Sequence, residues 1–104
     1  MQHLSAEQAA AALKQGEALV LDVREDWELA IAAVPNATHI PMNQIPNRLE
    51  ELDPNQTILV LCHSGVRSQS VTNYLMGMGY QDVHNIVGGI SEWSKTVDSR
   101  IPIY

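Results

Sequence analysis

Thr57-Ile58-Leu59-Val60-Leu61-Cys62-His63-Ser64-Gly65-Val66-Arg67-Ser68 is the stretch whose reading decides the fold. Five apolar or β-branched residues in a row are too few for a buried helix and suit a strand covered on both faces. A short polar loop with one glycine follows. From Arg67 to Met78 the pattern turns helical, with Val71, Leu75 and Met78 on one side and Gly79 as the stop. Strand, tight loop and helix in immediate succession make up one unit of an α/β fold. Such a sheet carries ligand sites at the carboxyl ends of its strands, which is where this loop delivers Cys62.

The flanking sequence repeats the alternation. Ser5 and Gln8 form a capping box ahead of the alanine run Ala9 to Ala12, and Gly16 ends that helix after Lys14. Ala18 to Val23 reads as a second buried strand, and residues 25–33 as a weak helical turn. Val34-Pro35-Asn36-Ala37 reads as a turn and Thr38-His39-Ile40 as a brief strand before Pro41. Ile45, Leu49 and Leu52 give helical spacing across Pro46 to Leu52, which Asp53-Pro54-Asn55 ends. Val83 to Ile86 is a further strand, and Gly88-Gly89 leads into a helix through Trp93. Strands alternating with helices predict a short, mainly parallel sheet with helices on both faces. The tail Arg100 to Tyr104 carries no pattern, and Pro102 makes it a poor central strand.

Composition bounds what such a domain can do. One domain over residues 1–104 is expected from the length. Twelve Asp and Glu against six Lys and Arg give a formal charge of −6. With no basic cluster, a nucleic-acid partner and an anionic membrane surface are both disfavoured. A small anion stays possible, because backbone N–H groups can outweigh the global charge locally. One cysteine rules out an internal disulfide and a multi-cysteine zinc site, and His3, His39 and His84 lack metal-ligand spacing, so no metal or cofactor is expected. The first seven residues lack the basic and apolar segments of a leader, so a reducing cytoplasm is the expected location.

The chemistry concentrates at Cys62. A cysteine after an apolar strand is ordinarily an inert buried residue. Here the loop's N–H groups converge towards its sulfur and a helix begins at once, adding partial positive charge. That setting lowers a thiol pKa and makes a nucleophile. Gly65 admits the curve a side chain would block.

Three segments then resemble the rhodanese superfamily. Leu21-Asp22-Val23-Arg24-Glu25 is similar to its Asp-Val-Arg-Glu segment, Cys62 to Ser68 to its active-site loop, and Gly88-Gly89-Ile90-Ser91-Glu92-Trp93 to its closing Gly-Gly-x-x-x-Trp signature. Where the family often has Gly-His-Ile-Pro-Gly-Ala, this chain has Ala32-Ala33-Val34-Pro35-Asn36-Ala37, a change expected to touch a turn and not the nucleophile. Four residues separate Cys62 from Arg67, whereas related phosphatases have five, and the shorter loop suits one sulfur atom better than a phosphate.

The resemblance implies sulfur transfer without cofactor or metal. Cys62 would take sulfane sulfur from thiosulfate or a related donor and hold it as a persulfide. Backbone N–H groups of His63, Ser64, Gly65, Val66, Arg67 and Ser68 would stabilise it, and cyanide, a small thiol or a protein cysteine would remove it. Arg67 suits either the donor's oxyanion or a loop-closing carboxylate such as Asp22. Ser68 suits a helix cap better than a sulfur contact, His63 tunes access or does nothing, and Asp22 and Arg24 brace the loop or each other. Trp27 and Trp93 read as packing anchors, and Met76 and Met78 as core fillers. The rival readings are a persulfide carrier or protein-binding module with little turnover, and, less favoured, a phosphatase or arsenate reductase.

Overall fold

The computed structural model describes residues 3–104; Met1 and Gln2, where the leader reading begins, lie outside them. The elements follow as β1 (His3–Leu4), α1 (Ala6–Lys14), β2 (Ala18–Asp22), α2 (Asp26–Ile31), β3 (Thr38–His39), β4 (Thr57–Leu61), α3 (Val66–Gly77), β5 (Val83–Ile86) and α4 (Gly89–Thr96). The strands form one parallel sheet in the order β1-β5-β4-β2-β3, so β4 is central and its carboxyl end opens at the middle of the sheet. The α/β class and the parallel sheet match the reading of the sequence.

Period-two alternation along the strands builds two cores. Ile58, Val60 and Cys62 face one side with Leu21, Val23 and, from α3, Val71 and Leu75. Leu59 and Leu61 face the other with Ala6 and Ala9 of α1 and Ile90 and Trp93 of α4. Short alanine side chains on α1 let that helix lie close against the sheet, and the Ser5–Gln8 capping box starts it as expected.

Three local expectations are corrected. Residues 42–51 form two 3-10 segments, Met42–Asn47 and Leu49–Glu51, in place of one α-helix over 46–52, with Pro46 inside the first; proline supplies no N–H for a longer ladder, yet Ile45 and Leu52 still reach the core. α3 ends at Gly77, which turns Met78 outward while Met76 packs on the core. Trp93 is buried, but Trp27 is 61% exposed, because α2 is short and turns that face outward. The tail is anchored: Ile101 is buried, and its carbonyl accepts a hydrogen bond from Ser94 Oγ at 2.5 Å.

Candidate active site

Cys62 follows β4 directly, and its residue surface is 1% exposed. The loop turns at Gly65, whose φ of +106° lies in the left-handed region that a Cβ disfavours. This turn aims the Gly65 N–H at Cys62 Sγ, at 3.0 Å. Ser68, in the first turn of α3, brings its Oγ to 3.3 Å from the same sulfur and to 2.5 Å from Asn85 Oδ1, so that its one proton serves either the thiolate or the amide oxygen. Asn85 in turn donates from Nδ2 to the Gly65 carbonyl at 3.3 Å, tying β5 to the turn. The N-cap of α3 is Gly65, so Ser68 is a buried sulfur neighbour and not the cap the sequence favoured.

Burial pushes the Cys62 thiol up, but the Ser68 hydroxyl and the N–H groups of Ser68, Gly65 and Ser64 outweigh it, and the net direction is down. Hydrogen bonds to the charged form favour it, so the site holds a thiolate more readily than an ordinary cysteine does.

The back of the loop is fixed by α4. Ile90 N–H donates to the Cys62 carbonyl at 2.9 Å and Ser91 N–H to the His63 carbonyl at 3.3 Å. Gly89 permits this approach: a Cβ there would fall within the van der Waals radii of both carbonyl oxygens. The Gly-Gly pair thus serves the cysteine loop, though the two lie more than twenty residues apart.

Two ion pairs lie beside the loop. Arg67 makes a bidentate bond to Glu28, Nη1 to Oε2 and Nη2 to Oε1, both 2.7 Å. Asp22, the carboxylate the sequence suggested for Arg67, is instead engaged by Arg24, through Nη2 at 2.7 Å and Nε at 3.0 Å. The carboxylate that pairs with Arg67 is therefore Glu28 and not Asp22. Tyr104 lies between the pairs: its hydroxyl accepts from Arg24 Nη1 at 2.9 Å and donates to Glu28 Oε1 at 2.8 Å. Among the described residues no group of three or more His, Cys, Asp or Glu is placed to hold a metal.

A family model described as Rhodanese-like domain matches residues 5–96. The chain belongs to the rhodanese-like family. Among its relatives, a protein named sulfurtransferase from Allochromatium vinosum is 37% identical over 76% of this chain and 74% of its own length. Thiosulfate sulfurtransferase GlpE of Vibrio cholerae is 28% identical over 97% of this chain and 92% of its own length. An Arabidopsis thaliana chloroplastic protein, Rhodanese-like/PpiC domain-containing protein 12, is 40% identical over 85% of this chain, which spans 31% of that protein's length. A rhodanese-like domain protein from Staphylococcus aureus superposes with a TM-score of 0.85 at 32% identity, covering 100% of this chain and 99% of that one. Membership and these relatives, with a Bacillus subtilis protein named putative sulfur carrier protein YrkF at 37% identity over 72% of this chain and 40% of its own length, support a sulfurtransferase or sulfur-carrier role of the rhodanese kind.

Within this rhodanese loop, the structure gathers Cys62, Ser64, Gly65 and Ser68 around the sulfur. Val66 points its side chain outward, and His63 turns to Tyr104, with ring centroids 4.1 Å apart and planes 8° from parallel. Asp22 and Arg24 bind each other behind the loop. Three site residues escaped the sequence reading. Glu28 lay in the weak helical turn over residues 25–33 with no role of its own, and Tyr104 sat in an unpatterned tail. Asn85 alone left a signal, a polar residue on the inward face of an apolar strand. A surface concavity of about 630 Å³ beside Pro35 and Arg100 includes none of the loop residues.

Proposed function

We propose that this rhodanese-like unit, residues 1–104, moves sulfane sulfur from thiosulfate or a related donor to a thiophilic acceptor through a persulfide on Cys62, in the manner of a thiosulfate sulfurtransferase and in a reducing cytoplasm. The reading rests on one observation, the Gly65 N–H and Ser68 Oγ converging on Sγ at 3.0 and 3.3 Å within a loop of four intervening residues. Among the described residues no helix is long and apolar enough to cross a membrane.

In the first half-reaction the Cys62 thiolate attacks the outer sulfur of thiosulfate. The S–S bond of the donor breaks, sulfite departs with the bonding pair, and Cys62 carries the transferred sulfur as a persulfide anion. The N–H groups from His63 to Ser68, with Val66 and Arg67 contributing through their backbone, face the charge that forms, an electrostatic role of the oxyanion-hole type. In the second, cyanide, a small thiolate or a protein cysteine attacks the outer sulfur, and the Cys62 thiolate leaves. The cycle is ping-pong and needs no metal or organic cofactor.

Incubation with thiosulfate should add one sulfur mass to the intact protein, and Cys62→Ser should neither gain that mass nor turn over with cyanide. Undiminished turnover in a folded Cys62→Ser protein would remove Cys62 as the nucleophile. Persulfide formation without cyanide turnover would instead favour a carrier that hands sulfur to a partner.

A further inference from the structure

The tail residue Tyr104 makes more contacts with the site than any packing role requires. Its backbone oxygen accepts from His63 Nε2 at 2.7 Å, and its ring stacks on the same imidazole. Its hydroxyl is shared between Arg24 and Glu28, and Glu28 carries both Nη atoms of Arg67. The Trp27 ring closes on its edge, with centroids 6.3 Å apart. The tail is held in place upstream, where Ile101 is buried and bonded to Ser94.

We propose that Tyr104 is a positioning residue for the Cys62 loop, gripping it near both ends: ring and backbone hold His63, the first residue after the nucleophile, and the hydroxyl holds the carboxylate that fixes Arg67. The grip depends on a neutral phenol, since only an O–H can donate to Glu28 while accepting from Arg24. Burial and the Glu28 bond favour that state over the opposing pull of Arg24, holding the phenol above its usual range. His63 and Arg67 bracket Ser64 and Gly65, whose N–H groups face the sulfur, so a change in either end alters the aim of those amides. Tyr104 touches no reacting atom and acts only through these two residues.

This inference rests on the sulfur-transfer reading for its turnover readout, but the reactivity of the thiol tests it independently. In the full chain, Tyr104→Phe keeps the stack and removes two hydrogen bonds, and Tyr104→Ala also removes the stack. The pH profile of Cys62 alkylation by iodoacetamide should move upward in both variants, further in Ala. Single-turnover persulfide formation should slow by about threefold in Phe and about tenfold in Ala, the size expected when charge-assisted bonds are lost from a preorganised site. The donor concentration for half-saturation should stay nearly constant. Wild-type alkylation profiles and transfer rates in the folded variants, with only the melting temperature lowered, would overturn the proposal and leave Tyr104 a packing residue. If Tyr104→Ala does not fold, the Phe profile alone decides. A wild-type protein that takes no sulfur from thiosulfate would sink the sulfur-transfer reading, while the alkylation profiles would still decide Tyr104.

Discussion

The two arginine–carboxylate pairs beside the cysteine loop are built from the same chemistry and placed in different surroundings. Arg24 and Asp22 are sealed from water, and the arginine donates to Asp22, the Ala32 carbonyl and Tyr104. Asp22 also accepts the Arg24 backbone N–H at 3.1 Å. Arg67 has a side chain 32% exposed, although the Glu28 beneath it is buried. The inner pair joins the end of β2 to the segment after α2 and lies behind the loop. The outer pair stands on the loop itself, with one side open, and Glu28 and Tyr104 form the floor under it. Burial thus separates a pair that stabilises the frame from one that aims the loop.

The largest effect that would break this contrast comes from the inner pair. Arg24→Met leaves the Asp22 carboxylate buried without its partner and should lower unfolding stability by about 3–5 kcal/mol. A chemical denaturation midpoint close to wild type would erase the distinction between the pairs.

Acid probes the outer pair. The Arg67 guanidinium beside Glu28 holds its carboxyl at about 2, against an ordinary value near 4.5; burial opposes this, and the Glu25 N–H and the Tyr104 hydroxyl reinforce it. A carboxyl depressed on folding contributes its full stability above its ordinary value and loses it as the pH falls towards the folded value. Stability should therefore fall between about pH 4.5 and pH 2 by on the order of 2–3 kcal/mol, screening at the half-open Arg67 included. Glu28→Gln should show a flatter decline over that window in urea unfolding, and an equally steep one would assign the loss to other groups.

The smallest expected effect on stability is Arg67→Gln, about 1–2 kcal/mol, because Glu28 keeps the Glu25 N–H and the Tyr104 hydroxyl. Its signature should lie in Cys62 alkylation kinetics, which should slow while the fold persists. A stability loss as large as that of Arg24→Met, with unchanged alkylation, would reverse the roles of the two pairs.

What could be read from the sequence follows from how local each signal was. β4, its loop and α3 are contiguous, so the run Thr57 to Leu61 and the turn at Gly65 announced strand, curve and helix together. Asp22 and Arg24 were legible as a brace because they lie two residues apart. Arg67 and Glu28 are thirty-nine residues apart, and Tyr104 meets Arg24 across eighty, so no spacing rule linked them. β1 has only two residues and takes its strand character from pairing with β5, His3 opposite Asn85. The stretch around Pro46 had the apolar spacing of a helix, but proline's missing donor limited it to 3-10 turns.

The hydrogen bonds from α4 to the Cys62 and His63 carbonyls have a consequence for inheritance. They pin the entrance of the loop from behind, while Asn85 pins the Gly65 carbonyl from the side. A residue inserted between Cys62 and Arg67 would have to bulge near Ser64 or break one of these tethers. The diameter of the ring is thus a property of three separated chain segments, and drifting from a sulfur-sized site to a phosphate-sized one would take coordinated change in all of them.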